Sequence, residues 1–198
     1  NATVTLVFSE AVASFSSAAD ITVANGTLAA MSSADNITWA GTFTPTANTE
    51  DASNTLSLAT SYTDTAGNTG PAATTLNYKV STLVPTISSV TAGWGTSLNA
   101  TEDNSAGTVT VVTSGAENGQ TVTVSLNGTN YTGTVSDNST SVTIAASGLQ
   151  ALTNGSSYTL TTNVSDAAGN AATENTGTSF TYDITAPTAN FTLSDTAL

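Results

Sequence analysis

The stretch YTDTAGNTGP, residues 62–71, returns as VSDAAGNAAT, residues 164–173. Asp64, Ala66, Gly67 and Asn68 match Asp166, Ala168, Gly169 and Asn170 at an offset of 102 residues. The same offset, without a gap, carries Leu58 onto Leu160, Thr74 onto Thr176, Tyr78 onto Phe180 and Pro85-Thr86 onto Pro187-Thr188. Two units therefore share one closing pattern: a strand, an Asp-x-Ala-Gly-Asn turn, a last strand, a linker and a proline. A repeat of about 100 residues in a strand-rich chain indicates tandem sandwich domains.

Composition agrees with an all-β fold. Hydrophobic residues make up 38% of the 198 residues, enough for a core, and aromatics only 6%. Thr and Val favour strands, whereas Asn, Gly, Ser and Asp favour turns. No long apolar period of 3.6 residues is visible. Charge excludes several partners. Fourteen acidic residues face a single basic one, Lys79, for a net charge of −13. Phosphate recognition needs Lys and Arg clusters, so a nucleic-acid partner is excluded, and an anionic membrane surface is disfavoured for the same reason. Unbalanced carboxylates repel one another, which divalent cations or salt would offset. Without Cys or His, the usual ligands for zinc, haem and iron–sulfur clusters are missing. No apolar run reaches membrane-spanning length and no signal peptide is visible, as in a mature exported segment or an excised fragment.

The pattern divides the chain into 1–84, 85–185 and 186–198. The middle segment reads as a complete sandwich, with strands expected at 86–91, 107–113, 120–126, 130–135, 141–145, 156–166 and 176–182. In VTVSLNGTNYTGTV (122–135), Asn127-Gly128 stands between two alternating strands, the residues that a type I′ hairpin turn prefers. SGLQALTNG (147–155) reads as one helical turn crossing between sheets. The first segment opens in mid-sandwich: in NATVTLVFSEAV (1–12), Val4, Leu6 and Phe8 already alternate inward as a core strand. By analogy with the second unit, a proline linker and a first strand should come before it. The segment DITAPTANFTLSDTAL (183–198) has that character, with Phe191 and Leu193 as its alternating apolar residues.

Two sets of blocks carry a family resemblance. VTLVFSEAV, DITVANGTL, WAGTFTPTA and DTAGN resemble one class of bacterial Ig-like repeats. SGAENGQTVTVSLNGTNYTGTV, LQALTNGSSYTLTTNVSDAAGN and DITAPT resemble another. Both classes occur in giant surface adhesins, biofilm-associated proteins and related extracellular bacterial filaments. The resemblance implies two tandem Ig-like β-sandwich domains, the first lacking its own first strand, on the bacterial cell surface. Their role would be extension and assembly rather than catalysis. It also implies that each domain starts after an Asp-Thr-x-Ala-Pro linker, so that 186–198 is the first strand of the next domain. That strand would be donated to, or continuous with, the next copy, and the partners of the chain are further copies of itself, head to tail.

The same resemblance implies calcium at domain junctions, with Asp166, Asp183 and the Glu10 of the following unit as oxygen ligands. Asp64, Glu102 and Asp103 form a weaker set. At the internal junction the offset places Ser81 where the other linker has Asp183, with Lys79 two residues before it. Lys79 is a candidate substitute for the metal there, pairing with Asp64 or with Glu102 and Asp103, although an ammonium cannot organise six ligands. Catalysis would fall to Glu50-Asp51 or Glu102-Asp103, and nothing in the pattern places either pair across a cleft. Asn-x-Ser/Thr triplets recur, as a Ser/Thr-rich sequence dictates by chance. Trp39 reads as a core residue, whereas Trp94 between glycines is a candidate exposed platform. It supports the alternative of a glycan- or receptor-binding adhesin module.

Overall fold

The structure, a computed structural model, describes residues 1–177 and 179–194. The chain divides into two units, Asn1–Leu83 and Val84–Leu198.

The first unit contains β1 (Ala2–Val7), a single helical turn α1 (Ser17–Asp20), β2 (Ile21–Val23), β3 (Gly26–Leu28), β4 (Thr38–Pro45), β5 (Glu50–Asn54), β6 (Leu56–Leu58), β7 (Ala73–Thr74) and β8 (Tyr78–Ser81). One sheet has the order β1-β4-β3, a second the order β2-β6-β7, and β5 pairs with β8. β1 runs antiparallel to β4, with Val4 opposite Gly41 and Leu6 opposite Trp39. Alternation puts Val4, Leu6 and Phe8 on the inner face, where they pack on the buried Val12, Phe15, Met31, Leu58 and Tyr62. Phe8 sits 4.9 Å from Tyr62 and 5.4 Å edge-on from Phe15, measured between ring centroids. Trp39 packs edge-on against Phe15 at 4.9 Å and serves this core. Asp20, a buried carboxylate, accepts the Ser16 N–H at 2.7 Å and the Ser61 hydroxyl.

The second unit contains β9 (Thr86–Ala92), β10 (Ser97–Leu98), a 3-10 turn (Glu102–Asn104), β11 (Gly107–Ser114), β12 (Thr121–Leu126), β13 (Thr129–Thr134), β14 (Ser139–Ile144), α2 (Ala146–Gln150), β15 (Ser157–Tyr158), β16 (Thr161–Val164), β17 (Asn175–Thr176) and β18 (Phe180–Tyr182). Its sheets have the orders β14-β11-β9, β13-β12-β16-β17 and β10-β18-β15. Inward residues of β11, β12, β14 and β16 form one core, with Val109, Val111, Val122, Val124, Val142 and Ile144 wholly enclosed. The expected hairpin is present, and Asn127 and Gly128 have φ values of 49° and 78°, both positive as a type I′ turn requires.

Two expected strands break. The segment 156–166 pairs with β18 as β15 and then with β12 as β16, so the chain changes sheets at Thr159-Leu160. The segment 176–182 likewise splits into β17 on β16 and β18 on β15; within it, residue 178 lies outside the described residues. β9 contains a bulge: Val112 pairs with Ser89 and Thr113 with Ile87, leaving Ser88 as the extra residue. Residues 183–194 form no strand and are exposed throughout. The last four residues of the expected strand 186–198 lie outside the described residues.

Candidate functional site

The site follows from a difference between two equivalent strands. β11 has strands on both edges, β14 and β9. β1 has β4 on one edge and, among the described residues, no strand on the other. The burial differs accordingly. Val109 and Val111 of β11 have 0% exposure, whereas Val4 and Leu6 of β1 are only partly buried.

Beside the open edge of β1 lies an apolar groove. Its wide end has a volume of about 720 Å³ and is walled by Val4, Phe43, Leu56, Leu76 and Tyr78. Its narrow end, of about 120 Å³, is walled by Val4, Leu6, Ile21, Leu58 and Ala73. The two ends share Val4, Thr5, Leu56 and Thr75, so they form one continuous channel. Leu76, on the rim, is 91% exposed. A channel beside a strand edge on which no strand pairs among the described residues, floored by aliphatic side chains, suits an extended peptide. Of the expected assembly residues, Val4 and Leu6 line this channel, while Phe8 packs into the aromatic cluster beyond its narrow end. Phe191 and Leu193 are 99% and 65% exposed. Sequence reasoning did not find the far wall, Leu56, Leu76 and Tyr78. The alternation of Leu76, Tyr78 and Val80 was the available signal.

The carboxylates are engaged in local structure. Asp166 Oδ1 accepts the N–H groups of Ala168 at 3.0 Å and Asn170 at 2.7 Å, and Oδ2 accepts the Asn170 side-chain amide at 2.7 Å. Asp64 makes the same three bonds, to Ala66, Asn68 and the Asn68 amide, at 2.8, 2.8 and 2.7 Å. For Asp166, burial pushes the carboxyl upward, but the Asn170 amide and the backbone donors outweigh burial and hold it below the usual range. For Asp64 the Asn68 side-chain and backbone donors lower it. Asp103 is buried and accepts the Tyr182 hydroxyl at 2.6 Å, which raises the tyrosine above its ordinary value. Glu102 accepts the Asn99 N–H. Glu10 and Asp183 are exposed. Among the described residues no three acidic side chains gather into a set that could hold a metal. Asp166 organises its own turn with these three bonds, out of about four acceptor positions.

Lys79 pairs across the sheet with Glu50. Its Nζ lies 2.6 Å from Glu50 Oε1. The cause is strand register: Glu50 is opposite Ser81 across β5 and β8, which makes Lys79 its diagonal neighbour on one face. Asp51, the other half of that candidate catalytic pair, accepts the Asn25 amide at 2.6 Å and the Ser53 N–H at 2.9 Å. Trp94 is not an exposed platform. It is 8% exposed and packs edge-on against Phe180 at 5.2 Å, and the absence of a side chain at Gly107 makes room for its ring.

Residues 1–80 match the family model described as a bacterial Ig-like domain. A bacterial immunoglobulin-like domain from the M. primoryensis ice-binding adhesin is 34% identical over 49% of this chain and 96% of that one, with a TM-score of 0.35. The chain belongs to the bacterial Ig-like domain family. Two larger structures are similar to these Ig-like units. One, from work on host cell surface retention of a 1.5-MDa bacterial ice-binding adhesin, is 30% identical over 84% of this chain and 52% of that one, with a TM-score of 0.43. The other, a Ca2+-stabilized adhesin that helps an Antarctic bacterium reach out and bind ice, is 26% identical over 85% and 42%, with a TM-score of 0.47. The Ig-like chain thus spans about half the length of these two or less. No curated protein matches it.

Proposed function

We propose that the chain is a structural extension module of an extracellular bacterial fibre or giant adhesin. In this reading copies join head to tail, and the strand at 187–194 of one copy completes the first Ig-like unit of the next. The observation that carries it is the open edge of β1, where Val4 and Leu6 stay half-buried although their counterparts in β11 are enclosed. Main-chain hydrogen bonds along that edge would supply affinity, and the apolar channel would take alternate side chains. Because groove and strand are different surfaces, the contact is heterologous and propagates as a filament unless it closes into a ring. The role is reach and stiffness, with no reaction. The glycan-binding alternative loses its one aromatic platform, since Trp94 is in the core.

Calcium enters this proposal at the joint, where Asp166 and the exposed Asp183 of one copy and the exposed Glu10 of the next are the oxygen donors. The full chain run on a denaturing gel without heating tests the reading. Head-to-tail joining predicts a ladder in steps of the 19.6 kDa chain that collapses on boiling, with chelator lowering the collapse temperature. A single band at all concentrations, matched by monomer mass in light scattering, contradicts it.

A further inference from the structure

We infer that the entering strand is held in one register, with Phe191 opposite Leu6 and Leu193 opposite Val4; this rests on the head-to-tail reading above. The two units provide the ruler. The β1–β4 ladder ends at the pair Val7 and Thr38, followed by a bond from the Phe8 N–H to the Ile37 carbonyl. The β11–β14 ladder ends at Val112 and Ser139, followed by a bond from the Thr113 N–H to the Asn138 carbonyl. The same closing bond equates Phe8 with Thr113, Leu6 with Val111 and Val4 with Val109. On the other edge of β11, β9 places Ile87 opposite Thr113, Val90 opposite Val111 and Ala92 opposite Val109. These three define the slots beside Phe8, Leu6 and Val4.

The repeat anchors the entering strand, because Pro187-Thr188 stands where Pro85-Thr86 begins β9. From that anchor two registers are open. If the bulge at Ser88 were kept, Thr192 would take the Val90 slot and both Phe191 and Leu193 would face water. Without the bulge, Ala189 takes the slot beside Phe8, Phe191 the slot beside Leu6 and Leu193 the slot beside Val4. A shift of one residue exchanges the two faces of a strand, so burial of the apolar face selects the unbulged register. Size agrees along the channel. The small Ala189 meets Phe8, which already packs on Phe15 and Tyr62. Phe191 and Leu193 meet Leu6 and Val4, which line open space.

The cysteine-free chain makes the register directly measurable. In the inferred register Thr5 lies opposite Thr192 with both side chains on the outer face. The full chain carrying Thr5→Cys is combined in turn with Asn190→Cys, Thr192→Cys, Leu193→Cys or Ser194→Cys, oxidised, and scored for covalent multimers. Directly opposed positions are within disulfide reach and diagonal ones are not, so Thr192→Cys should cross-link about tenfold faster than the others. Dominance of Leu193→Cys would establish the bulged register, and dominance of Asn190→Cys or Ser194→Cys a two-residue slip. Either overturns the inferred register and leaves head-to-tail joining intact. Cross-linking by none of the four, with the chain monomeric before oxidation, overturns both.

Discussion

Asp64 and Asp166 show how one residue type is fixed by its immediate donors. Each is surrounded by the N–H groups of the turn it opens, and Gly67 and Gly169 supply the positive φ, 93° and 88°, that lets the turn close. A carboxyl whose folded value is lowered stabilises the fold above its unfolded pKa, about 3.9 for aspartate, and that contribution is lost as pH falls through the lowered folded value. The turns therefore weaken only in acid. Asn170→Ala removes the side-chain donor to Asp166, so the Asp166 titration followed by NMR should move up toward the ordinary range and acid unfolding should begin at higher pH. An unchanged titration would show that the backbone N–H groups alone set it. At the same scale, the repeat of these turns was legible in the sequence because their residues are short-range partners. The partner of Lys79 was not, since the long-range register of β5 on β8 chooses Glu50 and β5 is too polar to show as a strand.

At the scale of elements, β1 and β11 have the same inward alternation and different surroundings. The entering strand would supply what β9 supplies in the second unit. Phe191 and Leu193 are exposed in the chain itself, so their truncation should leave the stability of the separate chain unchanged. In the joined state Phe191→Ala should cost about 3 kcal/mol, or about 100-fold in the dissociation constant between copies. Analytical ultracentrifugation measures this, and an unchanged constant would remove Phe191 from the joint. The strands of the second unit were readable because period-two alternation and the Asn127-Gly128 turn are local signals. The change of sheets at Thr159-Leu160 was not, because the segment remains strand-like on both sides of the crossing. The buried position of Trp94 also depends on tertiary packing, on Phe180 and the space at Gly107. The groove was half legible: Val4 and Leu6 announced one wall, while Leu56, Leu76 and Tyr78 became a wall only when β6 and β8 were folded.

At the scale of the whole molecule, the first unit has a half-open core and, among the described residues, no strand on the outer edge of β1, features that favour pairing with another strand over solvent exposure. The second unit encloses its core and has β9 on the corresponding edge. A net charge of −13 opposes bringing copies together, so the proposed joining would have to come from apolar and main-chain contacts rather than from long-range attraction. The most direct test is a high-resolution density map of joined copies. It should show residues 187–194 of one copy as a strand antiparallel to β1 of the next, with the Phe191 ring against Leu6 and the Leu193 side chain against Val4. A map in which the outer edge of β1 is solvent-lined, or is taken by any other segment, would contradict the account.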